Sequence, residues 1–294
     1  MSVTFEIPEV DYTQYTNRQL AAVPLAVLAV AILVIAGTFA VTGTPVALGI
    51  DFTGGTEFRL AVDAASDAAA RDVITSTFSV APESIRSVPT DGTYVVTFQT
   101  EAVSTSQLEA QATNAAAIEI RSIDNVSASF GSDSQILALG GVAVAFAGMS
   151  VLVFLMFRTF VPSVAVVISA FSDIVIPVAL MNVLGIELTL GTVAALLMII
   201  GYSVDSDILL NNHILRRSGD FYESTYRAMR TGVTMTLTSL SAMAVMAVVA
   251  SLFGIQLLSA IGLILVFGLA TDLMNTYMLN LSLLRWYKFE GVAR

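Results

Sequence analysis

Six stretches of almost unbroken apolar residues punctuate the chain, at 20–43, 135–157, 163–184, 190–212, 233–253 and 257–284. Each is close to the roughly 20 residues that a helix needs to cross a hydrocarbon core, so each predicts a membrane span. Between the first and second the pattern changes to short alternating runs separated by alanine-rich segments. Strands are predicted over 53–62, 83–89, 93–99 and 123–130, with helices over 65–78 and 104–119. Thr90-Asp91-Gly92-Thr93 marks a hairpin turn, and Ser104 or Ser106 is placed to cap the second helix. The order β-α-β-β-α-β is that of a ferredoxin-like split pair. The predicted fold is an α-helical membrane protein: a cytoplasmic segment 1–19, transmembrane helix 1, a ferredoxin-like α+β outer domain over 44–134, five further transmembrane helices over 135–287 and a tail 288–294.

Charge fixes the expected orientation. With both termini in the cytoplasm, Arg18, Arg158, Arg216, Arg217, Arg227, Arg230, Arg285, Lys288 and Arg294 lie inside. Only Arg59, Arg71, Arg86 and Arg121 lie outside, all in one long loop where the positive-inside rule has little force. Trp286 and Tyr287 follow the last span, where interfacial aromatics belong. The segment before the first span is acidic and the apolar run is long, so that span is expected to remain as an anchor, not to be a cleaved signal. The 44–134 loop carries twelve acidic and four basic residues, a net −8 of the whole chain's −10. Such a surface repels nucleic acid and hydrates itself strongly. With Lys288 as its one lysine, the chain suits high salt, where screening makes dense like charge tolerable. The absence of cysteine excludes disulfide and thiolate chemistry.

Four carboxylates, Asp173, Asp205, Asp207 and Asp272, interrupt the apolar spans. An ionisable group there costs on the order of 3 kcal/mol on insertion scales, and such groups usually face a protein interior and serve transport, ion coupling or a structural pair. The competing reading is interhelical glue, at about 0.6 kcal/mol per contact. Asp205 and Asp207 stand two residues apart, so on a helix they point about 200° from each other. Pro177 removes a backbone donor four residues past Asp173 and opens a polar niche beside it. Arg230 is the cation placed to enter the bundle from the inner side, ahead of a hydroxyl series of Thr234, Thr236, Thr238, Ser239 and Ser241 that either bonds its own helix or lines a water chain. His213 reads as a helix-end cap and Glu187 as interfacial. Where the first span gives way to the outer domain, Gly49-Ile50-Asp51-Phe52-Thr53-Gly54-Gly55-Thr56 reads as a joint: the paired glycines permit unusual backbone angles, and Asp51 and Thr53 can cap local amides. No metal cluster, thiol or triad is present, so neither an enzyme nor a bound cofactor is expected.

The joint motif, Ser172-Asp173, and Leu190–Leu197 leading into Ile200-Gly201-Tyr202-Ser203-Val204 together resemble the SecF branch of the SecD/SecF family, relatives of the resistance-nodulation-division transporters, over residues 20–287. The resemblance implies a non-enzymatic subunit that, with SecD, assists export of unfolded polypeptide through a SecYE-type translocon. It also implies a fourth-span acid carrying protons, aided by an arginine opening the fifth span. Laid on the bacterial pattern Gly-Tyr-Ser-Ile-Asn-Asp-Thr, the acid falls on Ser206, with carboxylates one position to either side at Asp205 and Asp207. The third-span acid matches Asp173 and the Arg-Thr pair matches Arg230-Thr231, whereas Asp272 has no bacterial counterpart. A one-residue move turns a carboxylate by about 100°, so the bacterial path does not transfer unchanged, and proton, sodium and uncoupled readings stand open. A structural stabiliser of SecD is the second expectation. A self-contained small-molecule or lipid transporter is disfavoured by a single six-span half.

Overall fold

The structure, a computed structural model, describes residues 11–88, 92–98, 103–216 and 220–290. The first span, α1 (Asn17–Thr42), starts behind a capping box in which the Thr16 hydroxyl accepts from the Gln19 amide and the Gln19 side chain accepts from Thr16. A single helical turn, α2 (Ile50–Thr53), leads into the α+β domain. This domain comprises β1 (Gly55–Val62), α3 (Asp67–Thr77), β2 (Ser84–Val88), β3 (Thr93–Phe98), α4 (Thr105–Asn114) and β4 (Ile118–Val126). The chain then returns through α5 (Ala128–Phe157), α6 (Phe160–Leu184), α7 (Leu190–Arg216) and α8 (Phe221–Leu252). The last span joins α9 (Gln256–Met274), a π-helical segment (Asn275–Asn280) and α10 (Leu281–Phe289). Six helices are thus long and apolar enough to cross a membrane. Among them α6 and α7 are the most enclosed, while α5 lies almost wholly on the outside of the bundle.

The sheet order is β2-β3-β1-β4, with every pair antiparallel. Alternation sends Phe58, Leu60, Val96 and Phe98 to one face, where Ile74 of α3 and Leu108 and Ala112 of α4 cover them. Phe58 and Phe98 meet edge to face at 5.9 Å. This is the ferredoxin-like module between the first and second spans.

Several predicted boundaries need correction. The second domain helix stops at Asn114, not 119, and β4 opens at Ile118, not 123. The alanine run 115–117 has helix propensity, but Ile118 and Ile120 alternate with Glu119 and Arg121 and pair with Val62 and Leu60, so the ladder prevails over propensity. β4 ends at Val126 because the Ser127 hydroxyl caps α5, accepting from the Phe130 amide, and this helix therefore starts seven residues before the predicted 135. The helix that carries the fifth expected span, 233–253, is α8, and it begins further back at Phe221, where Asp220 caps its polar first turns. Thr90 and Asp91 of the hairpin signal, with residues 1–10, Pro89, Gln99, Arg217 and Arg294, lie outside the described residues.

The sheet face left open by α3 and α4 turns toward one end of the bundle. Arg59 of β1 donates to the Gly254 carbonyl in the α8–α9 turn at 2.8 Å, and Arg86 of β2 pairs with Glu187 in the α6–α7 turn. A parallel bridge joins Leu48 to Leu188. The domain is therefore fastened at several points around its base.

Candidate functional site

Polar residues on three enclosed helices meet in a seam through the bundle. On α7, Ser203, Asp207 and Asn211 stand four apart, so they share one face, and all three are wholly buried. On the last span, Asp272, Thr276 and Asn280 repeat that spacing and are buried as well. Asp173 supplies the α6 side, at 0 % exposure. It accepts from the Ser203 hydroxyl at 2.5 Å through one oxygen and from the Asn275 amide at 2.6 Å through the other, tying three helices together. The Asp207 Oδ1 accepts from the Thr276 hydroxyl and the Asn280 amide, each at 2.8 Å. The Asp272 Oδ1 accepts from Ser206 at 2.7 Å and stands 3.2 Å from the Thr276 hydroxyl oxygen. Both Asn275 and Thr276 lie in the π-helical segment, and these adjacent residues serve different carboxylates. Single π turns of this kind are frequent at functional positions. Among the described residues, no lysine, arginine or histidine forms an ion pair with any of the three acids.

Two members of the expected coupling set lie elsewhere. Asp205 is exposed on the opposite face of α7, as its spacing from Asp207 requires. Arg230 is exposed on α8, with no ion pair among the described residues, rather than entering the seam. Beyond it Thr234, Thr238 and Ser241 are exposed along the same helix, and each donates to the carbonyl four residues earlier, the self-bonded arrangement. His213 likewise bonds within its helix, its Nδ1 2.9 Å from the Leu209 carbonyl. The seam partners Asn211 and Asn280 were not picked out from the sequence, and Ser206 entered only as the position on which the bacterial acid falls. The signal for Asn211 and Asn280 was the four-residue repeat that continues from the acids, which is faint beside the carboxylates themselves.

The joint also differs in detail from its reading. Asp51 does not cap a local amide: it reaches across to the Leu190 amide at 2.9 Å, capping the start of α7. The Thr53 hydroxyl donates to carbonyls, Gly49 at 3.3 Å and Gly54 at 3.0 Å. Gly49 donates to the Leu188 carbonyl at 2.8 Å, and a Cβ there would come within 2.9 Å of Thr189. Beside this joint, a cavity of about 560 Å³ separates the open sheet face from the bundle, with Asp51, Glu57, Arg86, Asp124 and Glu187 among its lining. Burial pushes the Glu57 carboxyl above its ordinary 4.5; Glu187 adds to that, Arg86 opposes it, and Asp124 and Asp51 raise it further. The folded protein thus holds this proton more tightly than the unfolded chain does. The resulting stability is greatest below 4.5 and declines as pH rises through the elevated folded value. Glu57→Gln is therefore expected to melt above the parent near pH 7 and with it below about pH 4, measured by thermal unfolding at the two values.

A six-span bundle, a ferredoxin-like module after the first span and buried acids between the most enclosed helices define a multi-pass helical membrane protein with polar chemistry at its centre. Among the described residues, no group of three or more histidines or acids has metal-holding geometry. Residues 106–290 match the family model for the C-terminal part of protein export membrane proteins SecD/SecF, and residues 39–66 match that for the SecD/SecF GG motif. The chain belongs to the SecD/SecF family. It is 72% identical over 292 residues to the protein-export membrane protein SecF of Haloferax volcanii, covering 99% of this chain and 100% of that one. It is 68% identical to the SecF of Haloquadratum walsbyi, covering 99% of each chain. The crystal structure of SecDF, a translocon-associated membrane protein from Thermus thermophilus, superposes with a TM-score of 0.77 at 21% identity. That match spans 96% of this chain and 39% of the longer one, and it supports the fold.

Proposed function

We propose that this chain is the SecF-type subunit of an export accessory complex, working beside a SecD-type partner to assist unfolded polypeptide through a SecYE-type translocon. In this reading both termini are cytoplasmic and the domain over 44–134 lies outside, in keeping with nine cations on one side and four on the other. The observation that carries the pairing is Asp205, turned outward near the middle of the 27-residue α7. Lipid is a poor neighbour for that carboxylate, at a cost on the order of 3 kcal/mol, whereas a second helical half can offer it a polar partner. Arg230 stands outward on the adjacent α8, and its long side chain can reach the interface or the same partner. Family membership and near-complete coverage of SecF relatives support the export role. The seam acids Asp173, Asp207 and Asp272 are the coupling set: one charge moved down 100 mV supplies about 2.3 kcal/mol, enough to bias a two-state domain.

The test is pulse-chase export of a reporter in cells lacking this protein, complemented with the parent, Asp205→Asn, Arg230→Gln or Asp207→Asn. Slowed export at normal membrane abundance is expected from each. Normal export from all three would remove the coupled reading and favour a scaffold that only stabilises its partner.

A further inference from the structure

Arg285 is only 9 % exposed, yet each acceptor it meets is neutral. Its guanidinium donates to the Tyr12 carbonyl at 2.9 Å, to the Tyr15 carbonyl at 2.7 Å and to the Asn17 side-chain oxygen. Three of its five N–H bonds are thereby used and two remain. Among the described residues it forms no ion pair. A cation buried without a counter-charge is costly, and an anion bound beside it offsets that cost. The same guanidinium lines a cavity of about 770 Å³ between the start of α1 and the end of α10. This is the end of the bundle opposite the α+β domain, the cytoplasmic end in the proposed orientation.

We infer that this cavity binds the phosphate of an anionic lipid, clamped by Arg285 and Arg18. Arg18 is on the lining, exposed and without an ion pair among the described residues. The guanidinium fork matches phosphate oxygens, and basic pockets at the ends of membrane helices suit such headgroups. The first turn of the 26-residue α1 shares the wall through Asn17 and Arg18, so the positive end of its dipole adds to the two cations. The lining has one acid, Glu290, which is exposed and forms no ion pair among the described residues. Asp11 spends its oxygens on Thr13 and Gln14, and Lys288 turns to the Phe221 ring at 5.6 Å. A lipid is favoured over a soluble phosphate by what borders the cavity. Tyr15 and Trp286, 48 % and 43 % exposed, are the residue types that settle at headgroup level. Beyond them α1 carries exposed Val23, Val27 and Val30 at one-turn spacing, a surface for the acyl chains.

Trp286 is the chain's single tryptophan and stands on the cavity wall, so its fluorescence reports on this site alone. Full-length protein would be reconstituted in phosphatidylcholine vesicles containing a rising fraction of phosphatidylglycerol brominated on its acyl chains. Brominated phosphatidylcholine serves as the reference quencher. The buffer holds about 1 M potassium chloride, where the Debye length is about 3 Å and general attraction to exposed cations is screened. Half-maximal quenching is expected at about tenfold less phosphatidylglycerol than phosphatidylcholine, the effect of one charge-assisted hydrogen bond. Arg285→Gln should abolish that preference, and Arg18→Gln should reduce it severalfold. Arg285 also fastens the chain before α1, so its variant can lose the cavity with the contact; Arg18 is exposed, and its variant keeps the fold. Equal quenching by the two lipids in the parent, or an unchanged preference in Arg18→Gln, would overturn the site. Loss of the preference on adding inorganic phosphate would overturn the lipid as its occupant. The readout needs neither partner nor translocon, so it stands or falls separately from the export role.

Discussion

A Gly55→Ala chain is expected to insert with all six spans and lose the seated α+β domain. Gly55 opens the central strand with φ +133°, a conformation closed to residues with a side chain. The strain alone costs about 1–3 kcal/mol. A Cβ would also stand 2.6 Å from the Phe98 carbonyl oxygen, which is backbone and held in the β1–β3 ladder, so nothing flexible can yield. A total of about 3 kcal/mol or more, set against the marginal stability of a small domain, is enough to unseat it. Limited proteolysis of membranes should then cleave within 44–134 in the variant and spare the parent. Equal protection in the two would sink the argument.

Charge reversal at Arg230 is the second large effect. Arg230→Glu alters an exposed position with no ion pair among the described residues, so the isolated chain should fold and melt as the parent does, within the few tenths of a kcal/mol usual for surface changes. In the proposed pairing, where the partner half offers Arg230 a counter-charge, the same change sets like charges against each other, and such juxtaposition costs several kcal/mol. Co-purification of the SecD-type subunit should fall by at least about a hundredfold, since each 1.4 kcal/mol is tenfold. Undiminished recovery of that subunit would show that α8 faces lipid, not the partner.

The spans and the strand order were legible because periodicity is a local property: an apolar run of twenty and an alternation of two are visible without knowing the neighbours. The boundary at Ile118 was not, because three alanines favour helix until β1 offers a ladder to Val62 and Leu60. For the site, the two-residue step from Asp205 to Asp207 foretold opposite faces, and the structure places one outside and one at 0 % exposure. Arg230 was read as entering the bundle because its sequence neighbours do not reveal which way α8 is turned. Asp51 was read as a local cap for a similar reason, since its real partner, the Leu190 amide, lies 139 residues away. The π-helical segment that carries Asn275 and Thr276 leaves no compositional mark.

The Leu48–Leu188 bridge, the Gly49–Leu188 hydrogen bond and the Asp51–Leu190 cap all fall on the short turn between α6 and α7. Those two helices bring Asp173 and Asp207 to the seam. The chain entering the domain is thus stitched to the same hairpin that bears the acids, with no slack between them. A shift of this hairpin would reach the domain first at its entry, while the Arg59–Gly254 bond holds the same base to the α8–α9 turn, so the domain would tilt between two anchors.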